Sequence, residues 1–360
     1  MHLVYNNVNY AFRNLVSGIH KKYIPTSRLP SRNGEVLQIE EPVIITYRYP
    51  QDRVLFNQAR DVNPFFHVFE SLWMLAGRED VAPLSYFNSN ISNYSDNGKI
   101  FNGAYGNRWR NWRIPSGDIW IAVDQLLEIA DRLKRNPYDR RVVLEMWSVH
   151  SDLMRPQYRD CCCNLSVLFS VQDNTYLNMT VYNRSNDMIW GTFGANVVHM
   201  SFLQEYMAAR IGVKMGVYNQ VSNNLHAYVD KWEPEKWLSD ETPDWYRYPY
   251  HDGHATIKTM IPLVQNPVRF DRECAEFIDA KEDGVYTEPF LKDVASPMCL
   301  AYRHHKERDY VKAYEAANMI KADDWRWVSL RWLEKRHASW KSRTESHDHV
   351  ESKQNGETSH

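Results

Sequence analysis

The sequence predicts an α+β fold, with helices packed on one mixed or mainly antiparallel sheet and an extra C-terminal helical region. Three observations carry that expectation. An almost wholly apolar helix opens at Asn63-Pro64 and stops at Gly77. Two strand-forming runs, 165–171 and 175–183, meet across the turn Gln172-Asp173-Asn174. A helix over 197–211 is capped by Gly212, and 213–223 then reads as another strand.

Each element has a local reason. Pro64 sits at the first helical position, where its missing N–H costs nothing. The apolar residues of FFHVFESLWMLAG wrap most of the circumference, so that helix should be buried. Residues 119–135 read as a second, amphipathic helix, ended by Asn136-Pro137. RRVVLEMW (140–147) is a run of strand formers. Beyond about residue 265 the texture changes to charged helices at 269–281 and 306–321, and Trp325, Val328 and Trp332 follow at helical spacing. The expected division is a catalytic domain over 1–264, a helical extension over 265–340 and a disordered tail over 341–360, which lacks apolar content.

With 43 Lys and Arg against 45 Asp and Glu, the chain has no polyanion-coating signature, so any anion must be met by a few placed arginines. The N-terminus has no apolar core of a signal peptide, and no run is long enough to cross a bilayer, so a cytoplasmic setting is expected. Three of the five cysteines are consecutive: Cys161, Cys162 and Cys163. Adjacent cysteines pair poorly with each other, and zinc sites space theirs, so no metal is expected. A reactive thiol or a buried strand remains.

Four features could carry chemistry. Glu70 lies inside the apolar helix, where a carboxylate must be paired, hydrogen-bonded or protonated; a structural anchor is the plain alternative. Arg140-Arg141 opens a strand, and the guanidinium fork suits phosphate, although such pairs are often only solvated. The thiol run precedes a hairpin, where an inert buried cysteine is the ordinary account. Arg184-Ser185-Asn186-Asp187 is a polar cluster between a strand and an apolar segment, fit for an anion or for an ordinary turn. Together they supply a nucleophile, an acid/base group and a phosphate clamp.

Their order resembles the thymidylate synthases and the related deoxyuridylate and deoxycytidylate hydroxymethylases of phages, from about Ser31 to Tyr228. SRNGEV is similar to the family's phosphate loop, with Arg32 as its arginine. FESLWMLAG resembles the helix of the catalytic glutamate (Glu70), and NGAYGNRW the segment of the active-site tyrosine (Tyr105). DQLLEIADRLKRNPYDRRVVLEMW runs through the double arginine. Cys163-Asn164 resembles the nucleophile segment, because only Cys163 has the family's distance to Asp173. RSNDMIWG and LHAY resemble the phosphate/folate signature and the sugar-binding His-x-Tyr.

The resemblance implies a mechanism. Cys163, with Arg184 as its cationic neighbour, adds to C6 of a pyrimidine nucleoside monophosphate. The ring then takes a one-carbon unit at C5 from 5,10-methylenetetrahydrofolate, with Tyr105 and Glu70 handling protons. Arg32, Arg184 and Ser185 hold the phosphate, while Arg140 and Arg141 reach the site of a second subunit, so a homodimer is implied. His226 and Tyr228 hold the sugar, and the folate contacts are Asp187, Ile91 and Trp109.

The chain also departs from the synthase pattern. ISNYSDNG puts Ile91 where synthases cover the reacting centre with tryptophan, and Tyr94 at a second tryptophan position. Asn164 stands where synthases have histidine, and the polar tail has no counterpart of their closing segment. All three favour water over hydride at C5, hence hydroxymethylation of dUMP or dCMP over reductive methylation. The base reader is Asn196, one place later than the synthase spacing from Gly191, where Ala195 stands; an amide favours uracil but can flip to read cytosine. A non-catalytic nucleotide- or RNA-binding relative would keep the arginines and lose the thiol or Glu70; both are present.

Overall fold

Ahead of Asn63, where the sequence suggests only the loop around Arg32, the chain forms β1 (His2–Tyr5), α1 (Val8–His20), β2 (Thr26–Ser31), β3 (Gly34–Ile39) and β4 (Val43–Tyr47). The computed structural model describes residues 1–155, 157–239, 250 and 257–356, with side chains up to 342. Helix α2 (Pro64–Leu75) begins as its sequence dictates. The Asn63 side chain accepts from the Phe66 N–H, and every residue of the helix but His67 is buried. Burying Phe65, Phe69 or Leu72 contributes about 1.5–3 kcal/mol each.

After α3 (Ala82–Phe87) and α4 (Tyr105–Arg110), the structure corrects the expected helix over 119–135. Ile119–Val123 is a strand, β6, paired with β5 (Trp112–Ser116) around Gly117 at φ +62°, and only Gln125–Arg135 is helical, as α5. Two features explain the boundary: the β-branched residues of IWIAV favour extended backbone, and the Asp124 carboxylate caps the helix by accepting from Leu127 N–H. The strand expected at 140–147 shortens to β7 (Val143–Glu145).

The hairpin forms as β8 (Asn164–Gln172) and β9 (Tyr176–Asn183), followed by β10 (Asn186–Asp187), α6 (Asn196–Ile211), β11 (Lys214–Ser222), β12 (Leu225–Tyr228) and α7 (Pro234–Leu238). Six strands make one sheet in the order β1-β4-β11-β9-β8-β7. It is mixed: β1/β4 and β11/β9 are parallel, the other pairs antiparallel. Helix α6 lies between this sheet and α2, so the interior is a helix–helix layer on one face of the sheet. A second sheet, β10-β12-β3-β2, carries Asp187, His226 and the Arg32 turn on neighbouring strands.

The C-terminal region is helical as expected, with α8 (Pro267–Ala280), α9 (Ser296–Lys306), α10 (Tyr310–Asn318) and α11 (Asp323–Gly356). The single helix expected at 306–321 is α10 alone, because Arg308 turns at φ +65° and Asp309 caps a new start. Trp325 and Trp332 are buried as their spacing suggests, and α11 packs against α2. The backbone of α11 runs to Gly356, into the span 341–360. Residues 357–360 lie outside the described residues. Among the described residues no helix is long and apolar enough to cross a membrane.

Candidate active site

Cys163 enters β8 through an irregularity. Register slips between Asn164 and Ser166, and the N–H groups of Met146 and Trp147 both reach the Leu165 carbonyl. Such a bulge re-aims the chain at its end. The Tyr105 hydroxyl, at the start of α4, accepts from the backbone N–H of Cys163 (3.0 Å) and of Asn164 (3.1 Å). Arg184 closes the other side. Its backbone N–H donates to Cys163 O (3.0 Å), its Nε to Cys162 O (2.8 Å) and its Nη2 to Cys161 O (3.2 Å), leaving Nη2 3.8 Å from Cys163 Sγ.

The thiol is not yet a thiolate in this arrangement. Burial pushes the Cys163 thiol up, and Arg184 pulls it down by less, so the balance stays above the ordinary thiol value. That qualifies the expectation that Arg184 activates the sulfur by itself. Cys162 is a structural residue, buried, with Sγ 3.3 Å from Gly103 O and its thiol pushed far up by burial.

Asn164 is wholly buried, and neither its Oδ1 nor its Nδ2 has a hydrogen-bond partner. Its cross-strand neighbour Asn183 is also buried, with an unpartnered Oδ1. Orphaned buried amides are costly, at about 1–3 kcal/mol per group, and they await polar partners. Glu70, on α2, is buried with His199 of α6 at its carboxylate: His199 Nε2 is 3.0 Å from Glu70 Oε2.

The anion-binding candidates divide. Arg32, exposed at the β2–β3 turn, donates to Arg159 O (3.2 Å) and so leans on the segment that carries the thiol. Arg184 is at the thiol, and half-buried Ser185 follows it. Arg140 and Arg141 are exposed on the turn before β7, Arg141 held by Asp139 at 2.9 Å, and neither contacts the other candidates among the described residues.

Asp187 and His226 face each other across the parallel pair β10/β12, and His226 Nδ1 meets Asn224 Oδ1 at 2.9 Å. Burial raises the Asp187 carboxyl, and its Oδ2 has no partner. Tyr228 accepts from Asn33 (3.4 Å), next to Arg32. Asn196 follows the segment Met188–Ala195, whose i→i+5 turns are broken at Gly194 (φ −119°, ψ −109°). There its Nδ2 donates to Asn186 Oδ1 (2.9 Å), and Asn186 Nδ2 to Ser222 Oγ (3.1 Å). Ile91 is half-buried in the turn Ser89–Tyr94, and Tyr94 is exposed. Trp109 corrects its expectation. It is entirely buried in the core, so it has no ring face to offer a folate.

The sequence reading did not single out His199 or Arg60, and it placed Asn186 and Trp190 inside the RSNDMIWG segment without a contact for either. A lone histidine in an apolar helix reads as core, and only the fold sets it against Glu70. The Arg60 guanidinium lies 4.2 Å over the Trp190 ring and bonds Ile189 O (2.7 Å), beside the Asp187 turn. A separate cleft of about 730 Å³ is lined by Arg108, Trp112, Arg113, Trp120 and Arg155 and includes none of the candidate site residues. Among the described residues no cluster of His, Cys, Asp and Glu could hold a metal ion.

Residues 45–246 match the family model described as thymidylate synthase. The chain is 41% identical over 330 residues, 88% of its length and 90% of the relative's, to the deoxyuridylate hydroxymethyltransferase of Pseudomonas phage M6. It is 40% identical over 199 residues, 55% of this chain and 52% of the other, to the protein of that name from Bacillus phage SP01. The thymidylate synthase of Buchnera aphidicola subsp. Acyrthosiphon pisum (strain Tuc7) is 30% identical over 163 residues, 45% of this chain and 58% of that one.

Proposed function

This chain belongs to the thymidylate synthase family, and from that premise we propose that it hydroxymethylates dUMP at C5, using 5,10-methylenetetrahydrofolate and water. The single observation that carries hydroxyl over hydride is Asn164, fully buried beside the nucleophile with both ends of its amide unpartnered. Such a group is suited to holding a water at the reacting carbon.

Cys163 Sγ attacks C6, and the electron pair of the C5–C6 bond moves toward C4–O4, making C5 nucleophilic. Arg184, 3.8 Å from the sulfur, stabilises the thiolate as it forms and as it leaves. The folate supplies the one-carbon unit. Asp187 fits its pterin ring, because a buried, unpartnered carboxylate oxygen answers an N–H donor. Trp190, exposed over Arg60, offers an aromatic face nearby. The C5 proton leaves toward Glu70 or Tyr105 through water, and the electron pair it leaves behind breaks the bond between the transferred carbon and the folate nitrogen, releasing tetrahydrofolate and leaving an exocyclic methylene at C5. Water held by Asn164 then adds to the exocyclic carbon, and the returning electron pair expels Cys163 from C6.

Asn196 reads uracil, and Arg32, Arg184 and Ser185 take the phosphate. Arg140 and Arg141, exposed and apart from the thiol, serve the phosphate of a second copy in a homodimer. The open sheet face supports that assembly, since Val143, Leu168, Tyr176 and Tyr182 are exposed on its strands. Reductive methylation shares every step up to the exocyclic carbon and has the synthase relative in its favour. Absorbance during turnover separates the two. Tetrahydrofolate release leaves the dihydrofolate band absent and supports the proposal, whereas dihydrofolate rising with product supports the synthase reading.

A further inference from the structure

Glu70 has a neighbour that the steps above do not use. His199 is 3% exposed, on the turn of α6 that follows Asn196, and its Nε2 stands 3.0 Å from Glu70 Oε2. Neither atom has an aligned hydrogen-bond partner among the described residues. A buried imidazole and a buried carboxylate each lose hydration, and in contact they offset that loss only if a proton lies between them. Proton-transfer contacts are often misaligned before substrate binds and tighten with it.

The surroundings restrict what the pair can do. His67, one turn ahead of Glu70 on α2, has its ring 6.3 Å from that of His199. Burial, with His199 and Arg60 adding to it, pushes His67 down to about 3, so it is neutral and brings no charge to the pair. On α6 it is His199 that stands in contact with the Glu70 carboxylate. The same helix carries Asn196 at its start, so the candidate base reader and the neighbour of Glu70 share one rigid element.

We propose that His199 is the positioning residue for Glu70. It donates Nε2–H to the carboxylate and fixes which oxygen faces the reacting carbon, where the proton is taken from C5. In that step the C5–H bond breaks, its electron pair stays with the ring, and the proton passes through water to Glu70. His199 touches no substrate and acts only through the carboxylate. The inference rests on the assignment of Glu70 made above.

The test uses the full chain and release of tritium from C5-labelled dUMP, a step common to hydroxymethyl and methyl transfer. A wrong product assignment would therefore appear in the product and leave this readout intact. His199→Phe keeps the volume and loses the donor. His199→Asn supplies an amide N–H but is too short to reach. His199→Gln restores an N–H at about the right distance. The expected result is a roughly tenfold to hundredfold fall in kcat for Phe and Asn, KM for dUMP and folate within about threefold, and recovery by Gln to within about threefold of wild type. Should the Phe variant not fold, the contrast between Asn and Gln carries the same test. Unchanged kcat in Phe or Asn, or a Gln variant as slow as Asn, would overturn the proposal.

Discussion

Three side chains divide the labour around the sulfur. Cys163 is the thiol that Arg184 reaches, whereas Cys162 is sealed against Gly103. Cys163→Ser should lower turnover by more than about 1000-fold, while Cys161→Ser keeps most activity. Steady-state rates of the two proteins decide it, and a working Cys163→Ser enzyme would end the covalent account. Because burial outweighs Arg184 at Cys163, the free thiol is protonated at neutral pH. Its alkylation by iodoacetamide should keep rising with pH beyond the range of an ordinary thiol, and a plateau near neutrality would contradict this. Asn164→Leu keeps the volume without the amide and should cut the hydroxymethyl product by roughly tenfold, the worth of one lost hydrogen bond at the transition state. Much of this residue level was legible in the sequence. The thiol's distance to Asp173 singled out Cys163, and an acid inside an apolar helix singled out Glu70. Trp109 was misjudged because it borders a matching motif yet faces the core. His199 stayed hidden because its meaning depends on a helix more than a hundred residues away in sequence.

At the scale of elements, close backbone approach makes the sharpest demand. A Cβ on Gly106 would lie 2.3 Å from Met74 O, so α4 can rest on α2 only with glycine there. Gly106→Ala should destabilise the protein by about 3 kcal/mol, read as a lowered urea midpoint; a change under about 0.5 kcal/mol would show that α2 and α4 can separate freely. At Gly191 a Cβ would come 2.6 Å from Asn186 Oδ1 and 3.0 Å from Asn196 Nδ2. Glycine at this position leaves room for Asn196 to reach Asn186. Strong start and stop signals made α2 and α6 readable, and alternation made the β8–β9 hairpin so. Strand β6 was read as the first turns of α5, because the apolar residues of IWIAV run on into the apolar face of the helix after it, with only Asp124 to part them. The N-terminal strands were missed for another reason. β4 and β3 are paired to β11 and β12 far along the chain, where no local pattern shows it, and the local β2–β3 hairpin was read only as the loop around Arg32.

The whole molecule sets conditions that no single element does. His67 is held neutral inside the fold, at about 3, whereas in the unfolded chain it binds a proton below about 6.5. Its neutral form is therefore compatible with the fold above that value, and stability is lost as the pH falls from there toward 3. The stability gap between wild type and His67→Gln should narrow from pH 7.5 to pH 5, measured by urea unfolding; a gap that widens would reverse the sign. If sites are shared between two copies, mixing Arg141→Ala with Cys163→Ser protein should restore about a quarter of wild-type activity through hybrid dimers, and no recovery would confine each site to one chain. In the proposed reaction, water held beside Asn164 ends the sequence of steps. Turnover of dUMP in oxygen-18 water, with the product read by mass spectrometry, follows that atom itself. The expected product is a 5-hydroxymethyl nucleotide carrying the label in its new hydroxyl. An unlabelled 5-methyl nucleotide formed with stoichiometric dihydrofolate would contradict it.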